Sequence, residues 1–426
     1  MKEREMKDSG IPWIGEIPIE WKIIPHKHIM HKEKEIKDTY EGEPILSLTK
    51  KGVIIRDLNA GGKMPTSFDG YQIVKIGDIL QCLFDIDVTP CCVGLVKNFG
   101  LVSPAYSRFI ADNNCHAPYY CHLLAFMDDK KVLLHLSKNL RNSLTETDFG
   151  AVYTCLPPLS EQKAIAEFLD RKCGEIDELV TIQNKMIEEL KAYKQSIITE
   201  TVTKGLNPNV PLKDSGIEWI GEIPQHWENI RLKEGFRLRT GTTPKDFEKG
   251  LDSDSLINWF TPSDIAEMNC ELNKSERHLS RNVINKEGIL LNPIGTLIFV
   301  GIGASAGKIG YSLIESYSNQ QITNLIPNED KIVGKYIYYY LLADRKRIRD
   351  NAFFTTLPII NNSYLSSIKI LTPPLSEQQE IADYLDNKCS EIDSLIELKQ
   401  QKIEEFKDYK KSIIYEYVTG KKSVEI

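Results

Sequence analysis

PPLSEQKAIAEFLDRKCGEIDELVTIQNKMIEELKAYKQSIITETVT fills residues 157–203, and PPLSEQQEIADYLDNKCSEIDSLIELKQQKIEEFKDYKKSIIYEYVT fills residues 373–419. Aligned without a gap, 28 of the 47 positions are identical, which marks an internal duplication. Each copy reads as a helix. Pro157-Pro158 and Pro373-Pro374 disfavour helix before them. Ser160 and Ser376 stand where N-caps belong, and Gln379 is placed to close a capping box in the second copy. Steps of four and three select Ile165, Leu169, Lys172, Ile176, Leu179, Gln183, Met186, Leu190, Tyr193 and Ile197. In the second copy they select Ile381, Leu385, Lys388, Ile392, Leu395, Lys399, Lys402, Phe406, Tyr409 and Ile413. A mostly apolar stripe held over five heptads predicts a coiled coil. About 42 residues at ~1.5 Å each give a rod of roughly 60 Å. Two copies of one surface, related by an approximate two-fold, would meet as antiparallel helices, with Lys172/Lys388 and Gln183/Lys399 fixing the register. The competing arrangement places the two helices in separate bundles.

A second duplication precedes each copy. KDSGIPWIGEIPIEW (7–21) recurs as KDSGIEWIGEIPQHW (213–227), with 12 of 15 positions identical. The chain is therefore two halves, each ordered as arm, body, PPLSEQ helix. The bodies, 23–156 and 229–372, do not align convincingly, so a duplicated frame carries two different inserts. The expected domains are 1–156 (arm and first body), 157–205 (first helix), 206–372 (arm and second body) and 373–426 (second helix and tail).

The length of 426 residues suits two to four domains, and 41% hydrophobic content lets each bury a core. No apolar run approaches the roughly 18 residues of a membrane span, and the charged start MKEREMKDSG leads into no secretory signal. Nine scattered cysteines form no disulfide framework and predict reduced thiols in a cytoplasmic protein. The net charge of −7 argues at first against nucleic-acid binding, but it is unevenly spread. The first body holds 15 basic and 15 acidic residues, and the second holds 18 and 15. The acidity lies in the helices: 7 basic and 9 acidic residues over 159–204, 6 and 11 over 375–420. DNA binding by the bodies is thus permitted, with weak electrostatic affinity for the chain alone.

At this point the chain resembles the specificity (S) subunits of type I restriction-modification systems. The resemblance rests on the PPLSEQ helices and the duplicated arms. Within the bodies it rests on GDIL (77–80), GLVSPAY (100–106), TGTTPKDFEKG (240–250), INWFTPSDI (257–265), GTLIFVGIGASAGKIG (295–310) and SNQQITNLIP (318–327). It implies two mixed α/β target-recognition domains joined by two long antiparallel coiled-coil helices, in an elongated pseudo-two-fold molecule. It implies a non-catalytic chain in which each domain reads half of a bipartite, asymmetric double-stranded DNA target. Two methyltransferase (M) subunits would dock on the helices and restriction (R) subunits would join them, with no membrane association. S-adenosylmethionine, ATP and Mg2+ would belong to those partners, and this chain would hold no cofactor and no metal. The rival from another class is a coiled-coil adaptor between proteins with no DNA specificity.

The motifs of catalysis fail on inspection. Asn292-Pro293-Ile294-Gly295 lacks the second proline and the aromatic of a methyltransferase tetrad. Gly303-Ala304-Ser305-Ala306-Gly307-Lys308 has the wrong spacing for a P-loop, and Ile309 stands where Ser or Thr would hold magnesium. Cys115-His116 and Cys121-His122 are spaced too widely for a usual zinc pair. YIYYYLL (336–342) reads as a core helix stripe. Base readers should be long polar side chains on loops. The candidates are Lys50, Lys51, Arg56, Lys63 and Arg141 in the first body and Arg239, Thr243, Lys245, Lys308 and Gln320 in the second. The run Arg345, Lys346, Arg347, Arg349 is the candidate phosphate contact. The expected helix interface is Ile165, Leu169, Ile176, Leu179, Met186, Leu190, Ile381, Leu385, Ile392, Leu395, Phe406 and Ile413.

Overall fold

A computed structural model describes residues 4–50, 52–60, 65–87, 89, 92–137, 142–245, 256–267, 271–351, 353–354 and 357–424. The chain forms two compact units, residues 1–183 with 401–426, and residues 184–400. Each unit combines one arm, one body and a stretch of both long helices.

The arms are hairpins. Met6–Asp8 pairs antiparallel with Glu16–Pro18, and Leu212–Asp214 pairs with Glu222–Pro224. The DSG motif makes the turn. Asp8 Oδ1 accepts from Gly10 N (2.9 Å) and Ser9 Oγ from Ile11 N (3.1 Å). Asp214 and Ser215 repeat both bonds at 2.9 and 3.0 Å. Each arm then runs into a strand that pairs with the segment leading into its PPLSEQ helix. Lys22–Pro25 pairs with Tyr153–Leu156, and Glu228–Arg231 pairs with Lys369–Thr372.

That ladder brings the two duplicated motifs together. The indole of Trp21 is fully buried and donates to Glu161 Oε2 (2.9 Å), while Arg4 forks onto the same carboxylate. In the second unit, buried Trp227 donates to Glu377 Oε1 (3.1 Å) and His226 Nε2 bonds the other oxygen (2.8 Å). The next residue is a second clamp. Gln162 donates to Pro157 O (2.9 Å) and Asn114 O (3.0 Å) and accepts from His116 N (2.7 Å), the N-cap of the body helix Ala117–Asp129. Gln378 does the same with Pro373 O, Lys331 O and Val333 N, the N-cap of Gly334–Asp350. A buried amide with its donors and acceptor used is stabilising only in this one arrangement. The tail of PPLSEQ therefore fixes the body helix onto the long helix.

The two bodies share one sheet order. In the first unit, Val93–Leu95, Ile79–Gln81, Ser107–Ala111 and Met30–Lys32 are neighbours, all antiparallel. In the second, Ile309–Ser312, Leu297–Val300, Ile322–Pro327 and Phe236–Thr240 follow the same order, with Glu271–Leu272 added in parallel at the edge. Topology survived where sequence identity did not, because a core tolerates apolar exchange at fixed pattern and volume. YIYYYLL lies in Gly334–Asp350 and is core throughout, with Tyr336 and Tyr340 fully buried.

The long helices span Leu159–Lys204 and Leu375–Val418. They pair antiparallel in each unit: Lys410 grips Asp177 (2.7 Å) in the first, and Lys194 grips Asp393 (2.6 and 2.7 Å) in the second. These pairs are equivalent under the repeat.

Three expectations about the helices are corrected. Pro158 O and Pro374 O accept the first helical bonds from Gln162 N and Gln378 N, so the second proline of each pair holds the cap position and Ser160 and Ser376 lie inside the first turn. Gln379 donates instead to Asp383, one turn on. The buried stripe also departs from the heptad: it runs Ile165, Leu169, Cys173, Ile176, Ile187, Lys194, Ile198 and Val202, with Val180 half-buried. Leu179 and Met186 are each 40% exposed and Leu395 48%. Such spacing follows ~3.6 residues per turn, from which a strict 3.5 repeat drifts by about 20° per heptad. Lys172 and Lys388 accordingly leave the seam for Glu175 and Glu391 on the surface.

The helix ends close the units. Tyr119 Oη and Cys155 Sγ donate to Val418 O (3.0 and 3.3 Å), and Tyr336 Oη donates to Val202 O (3.3 Å). Each body thus sits on the start of its own helix and the end of the other. Gly420, at φ +72°, ends the second helix where a Cβ would lie 2.4 Å from Pro18, so only glycine fits.

Candidate nucleic-acid interface

In the second unit, strand pairing brings three loops to one end of the central sheet. Thr240 opposes Thr323 and Val300 opposes Ile322, so 241–245, 301–308 and 318–321 converge there. Thr243 and Gln320 meet in this cluster, both exposed, the Thr243 hydroxyl donating to Gln320 Oε1. Lys245 is exposed beside them, its backbone N–H held by Glu287 (3.0 Å). Arg239 turns away: its guanidinium donates to Leu291 O (2.5 Å) and to Asn292 Oδ1, on the wall of a polar cavity of about 220 Å3 that also touches Gly241, Thr242 and Asn324. Burial lowers its pKa from the usual arginine value, with Arg237 adding repulsion.

Among the candidate basic residues of the second body, Lys308, Arg345 and Arg347 are engaged in ion pairs. Lys308 Nζ lies 3.1 Å from Glu267 Oε1, and Arg345 Nη2 lies 2.5 Å from Glu267 Oε2. Arg345 and Lys308 hold the Glu267 carboxyl below its ordinary pKa. Arg347 forks onto Asp344, whose buried carboxyl is pushed up by desolvation and pulled back by that guanidinium, and its other face covers Trp219 at 5.9 Å. Arg347 thus offsets the desolvation of a buried acid, and Arg345 serves an internal pair. Lys346 and Arg349 remain exposed on this helix, Arg349 reaching Ala304 O (3.5 Å) in the 301–308 loop.

Sequence reasoning passed over Asn362. It joins the same sheet end, donating to Thr240 Oγ1 (2.9 Å) and accepting from Thr323 Oγ1 (2.6 Å). The Asn361-Asn362 pair, with Asn361 capping the helix Asn362–Ser367, was the available sign.

In the first unit, Lys50 is exposed at the turn joining Leu46–Thr49 to Gly52–Ile55, on a cavity of about 370 Å3 with Phe84, Thr89 and Tyr106. Arg56 follows that hairpin, half-buried, its N–H on Ile45 O (2.7 Å). Lys51, Lys63 and Arg141 lie outside the described residues. Arg108, which sequence reasoning missed, is buried and bonds Asp78 (2.6 Å), bracing the sheet below this hairpin.

Among the described residues, no three His, Cys, Asp or Glu side chains are grouped to hold a metal. His122 bonds Asp170 (2.8 Å), and burial pushes the Cys115 thiol up to about 12. Among them, too, no helix is long and apolar enough to cross a membrane.

Residues 224–418 match the family model of the type I restriction modification DNA specificity domain. The chain is 26% identical over 452 positions to a Methanocaldococcus jannaschii protein provisionally named as the type I restriction enzyme MjaX specificity subunit, covering 99% of this chain and 97% of that one. It is 30% identical over 283 positions to the MjaVIII specificity subunit of the same organism, covering 62% of this chain and 61% of the relative. A solved chain from a study of complex assembly in the type I R-M system superposes with a TM-score of 0.73 over 94% of this chain and 98% of its own, at 16% identity.

Proposed function

From homology to the specificity subunits of type I restriction-modification systems, we propose that this chain is the non-catalytic DNA-recognition subunit of such a complex. Each body reads one half of a bipartite target, and the helices space the bodies and dock two M subunits. One observation carries the reading. Two units are closed by the same Trp–Glu and Gln clamps and the same sheet order, yet they present different loops. A constant frame with variable loops suits two readers with different half-sites.

The docking part has its own support. Leu179, Ile182 and Tyr409 are exposed on the first unit's helices at 40, 51 and 56%. Their repeat equivalents Leu395, Leu398 and Tyr193 are exposed on the second unit's at 48, 60 and 59%. An apolar trio repeated at matching positions marks two surfaces for one kind of partner. The proposed boundaries are 1–156 and 206–372 for arm plus body, with 157–205 and 373–426 as the helices. On this reading Lys50, Arg56, Thr243, Lys245 and Gln320 face DNA, while S-adenosylmethionine, ATP and Mg2+ act on the M and R subunits in the cytoplasm.

Methylome sequencing of cells with and without the gene tests this. A split motif present only with the gene is expected. An unchanged methylome, with the M subunits expressed, would remove the reading.

A further inference from the structure

Two loops of the second unit are locked to each other and turn one side-chain pair outward. Gly241 N donates to Ile322 O (2.9 Å), Thr242 N to Ser318 O (2.8 Å), and Asn319 N to Phe260 O (3.0 Å). The Trp259 indole donates to Thr242 O (3.1 Å). Asn319 folds back on its own loop, accepting from Gln321 N and donating to Gln321 Oε1, both at 3.1 Å. A Cβ on Gly241 would stand 2.2 Å from Asn319 O, so this approach requires glycine.

Behind the loops lies a buried amide relay. Asn324 Oδ1 accepts from Asn292 Nδ2 (3.0 Å) and Ser318 Oγ (2.9 Å), and Asn324 Nδ2 donates to Arg239 O (3.1 Å). These groups all point inward. Thr243 and Gln320 stand outside them, exposed and bonded to each other. A polar pair on a rigid, fully bonded base loses little entropy on binding and holds its geometry, as a recognition element must.

We infer that Gln320 is a specificity-determining residue of the second body, and that the Thr243 hydroxyl sets the polarity of its amide. This rests on the DNA-recognition reading above. With Oε1 taken by Thr243, Gln320 presents Nε2, which has no partner among the described residues. It offers a donor and selects a base edge with an acceptor. In the major groove, guanine offers O6 and N7, thymine O4 and adenine N7, whereas cytosine offers only its N4 donor. The pair therefore rejects cytosine. It also weakens the two-point grip on adenine that a glutamine with both ends free would make.

The test compares wild-type, Gln320→Ala and Thr243→Val chains, each co-expressed with the M subunits in a host free of other methylation, by methylome sequencing. Both side chains are exposed, so both substitutions leave the core intact. Gln320→Ala should admit cytosine at one position of one half-site, discrimination falling on the order of ten-fold. Thr243→Val frees the amide to turn and should raise the share of adenine at that same position. The other half-site and the spacer should stay as in the wild type. A fourth chain, with residues 23–156 replaced by the first body of another such protein, marks the half-site read by the first body; if both variants methylate the wild-type motif with unchanged occupancy, or if their altered base lies in that half-site, the assignment of Gln320 falls. A wild-type complex with no split motif would instead overturn the DNA-recognition reading, so the two failures are distinguishable.

Discussion

His26 lies 1% exposed between the ring edges of Tyr120 (5.6 Å) and Phe149 (4.7 Å), and neither ring nitrogen has a partner among the described residues. Burial lowers its pKa to about 3, against about 6.5 in an unfolded chain. Between these values the unfolded chain binds a proton that the folded chain does not. The contribution is therefore fully present above about pH 6.5 and falls as pH drops toward 3, by up to about 1.4 kcal/mol per pH unit. His26→Phe should flatten the pH dependence of the urea midpoint between pH 7 and 4.5 relative to wild type; identical slopes would refute this. Nothing in IPHKHIMHK (24–32) announces that burial. It follows from pairing of Lys22–Pro25 with Tyr153–Leu156, over a hundred residues away. Arg345 and Arg347 show the same limit in reverse. Their spacing suggested a phosphate contact, and only the fold reveals that Glu267 and Asp344 hold them.

At the scale of elements, both long helices were legible from their repeat, their proline starts and their apolar stripe. Their contact face was legible only at the outset. Templates of 3.5 and 3.6 residues agree at Ile165, Leu169 and Ile176, but part by one residue at Lys172/Cys173 and again from Leu179 onward. Leu179-Val180, Met186-Ile187 and Ile197-Ile198 are each apolar at both choices, so only the partner helix decides. The repeated lysine–aspartate pair then separates two environments. The Lys194 side chain is 3% exposed and Lys410 30%. Asp393→Asn strands a buried ammonium and should cost about 3 kcal/mol, at the low end for a broken buried pair because the aspartate is partly solvated. Asp177→Asn breaks a solvated pair and should cost under about 1 kcal/mol. Denaturant titration of both variants measures the difference, and equal losses would show that burial of Lys194 has no energetic weight.

At the scale of the whole molecule, the exposed trios predict stoichiometry. Leu179→Asp with Ile182→Asp, and separately Leu395→Asp with Leu398→Asp, should each reduce the assembly from two M subunits to one, as read by native mass measurement. A chain carrying all four changes that still holds two M subunits would exclude these faces as docks. That the molecule carries two bodies on one duplicated frame was legible from its repeats. That both share a sheet order was not, because fold is kept by pattern and volume while identity drifts. The way each unit is composed bears, finally, on the order of synthesis. Residues 184–400 are contiguous, whereas the first unit needs 401–426. A nascent chain at about 5–20 residues per second completes the second unit first and leaves the first half waiting roughly 12–50 s for its last helical turns. During that interval Tyr119 and Cys155 have no Val418 to bond, so early termination strands the very portion translated first.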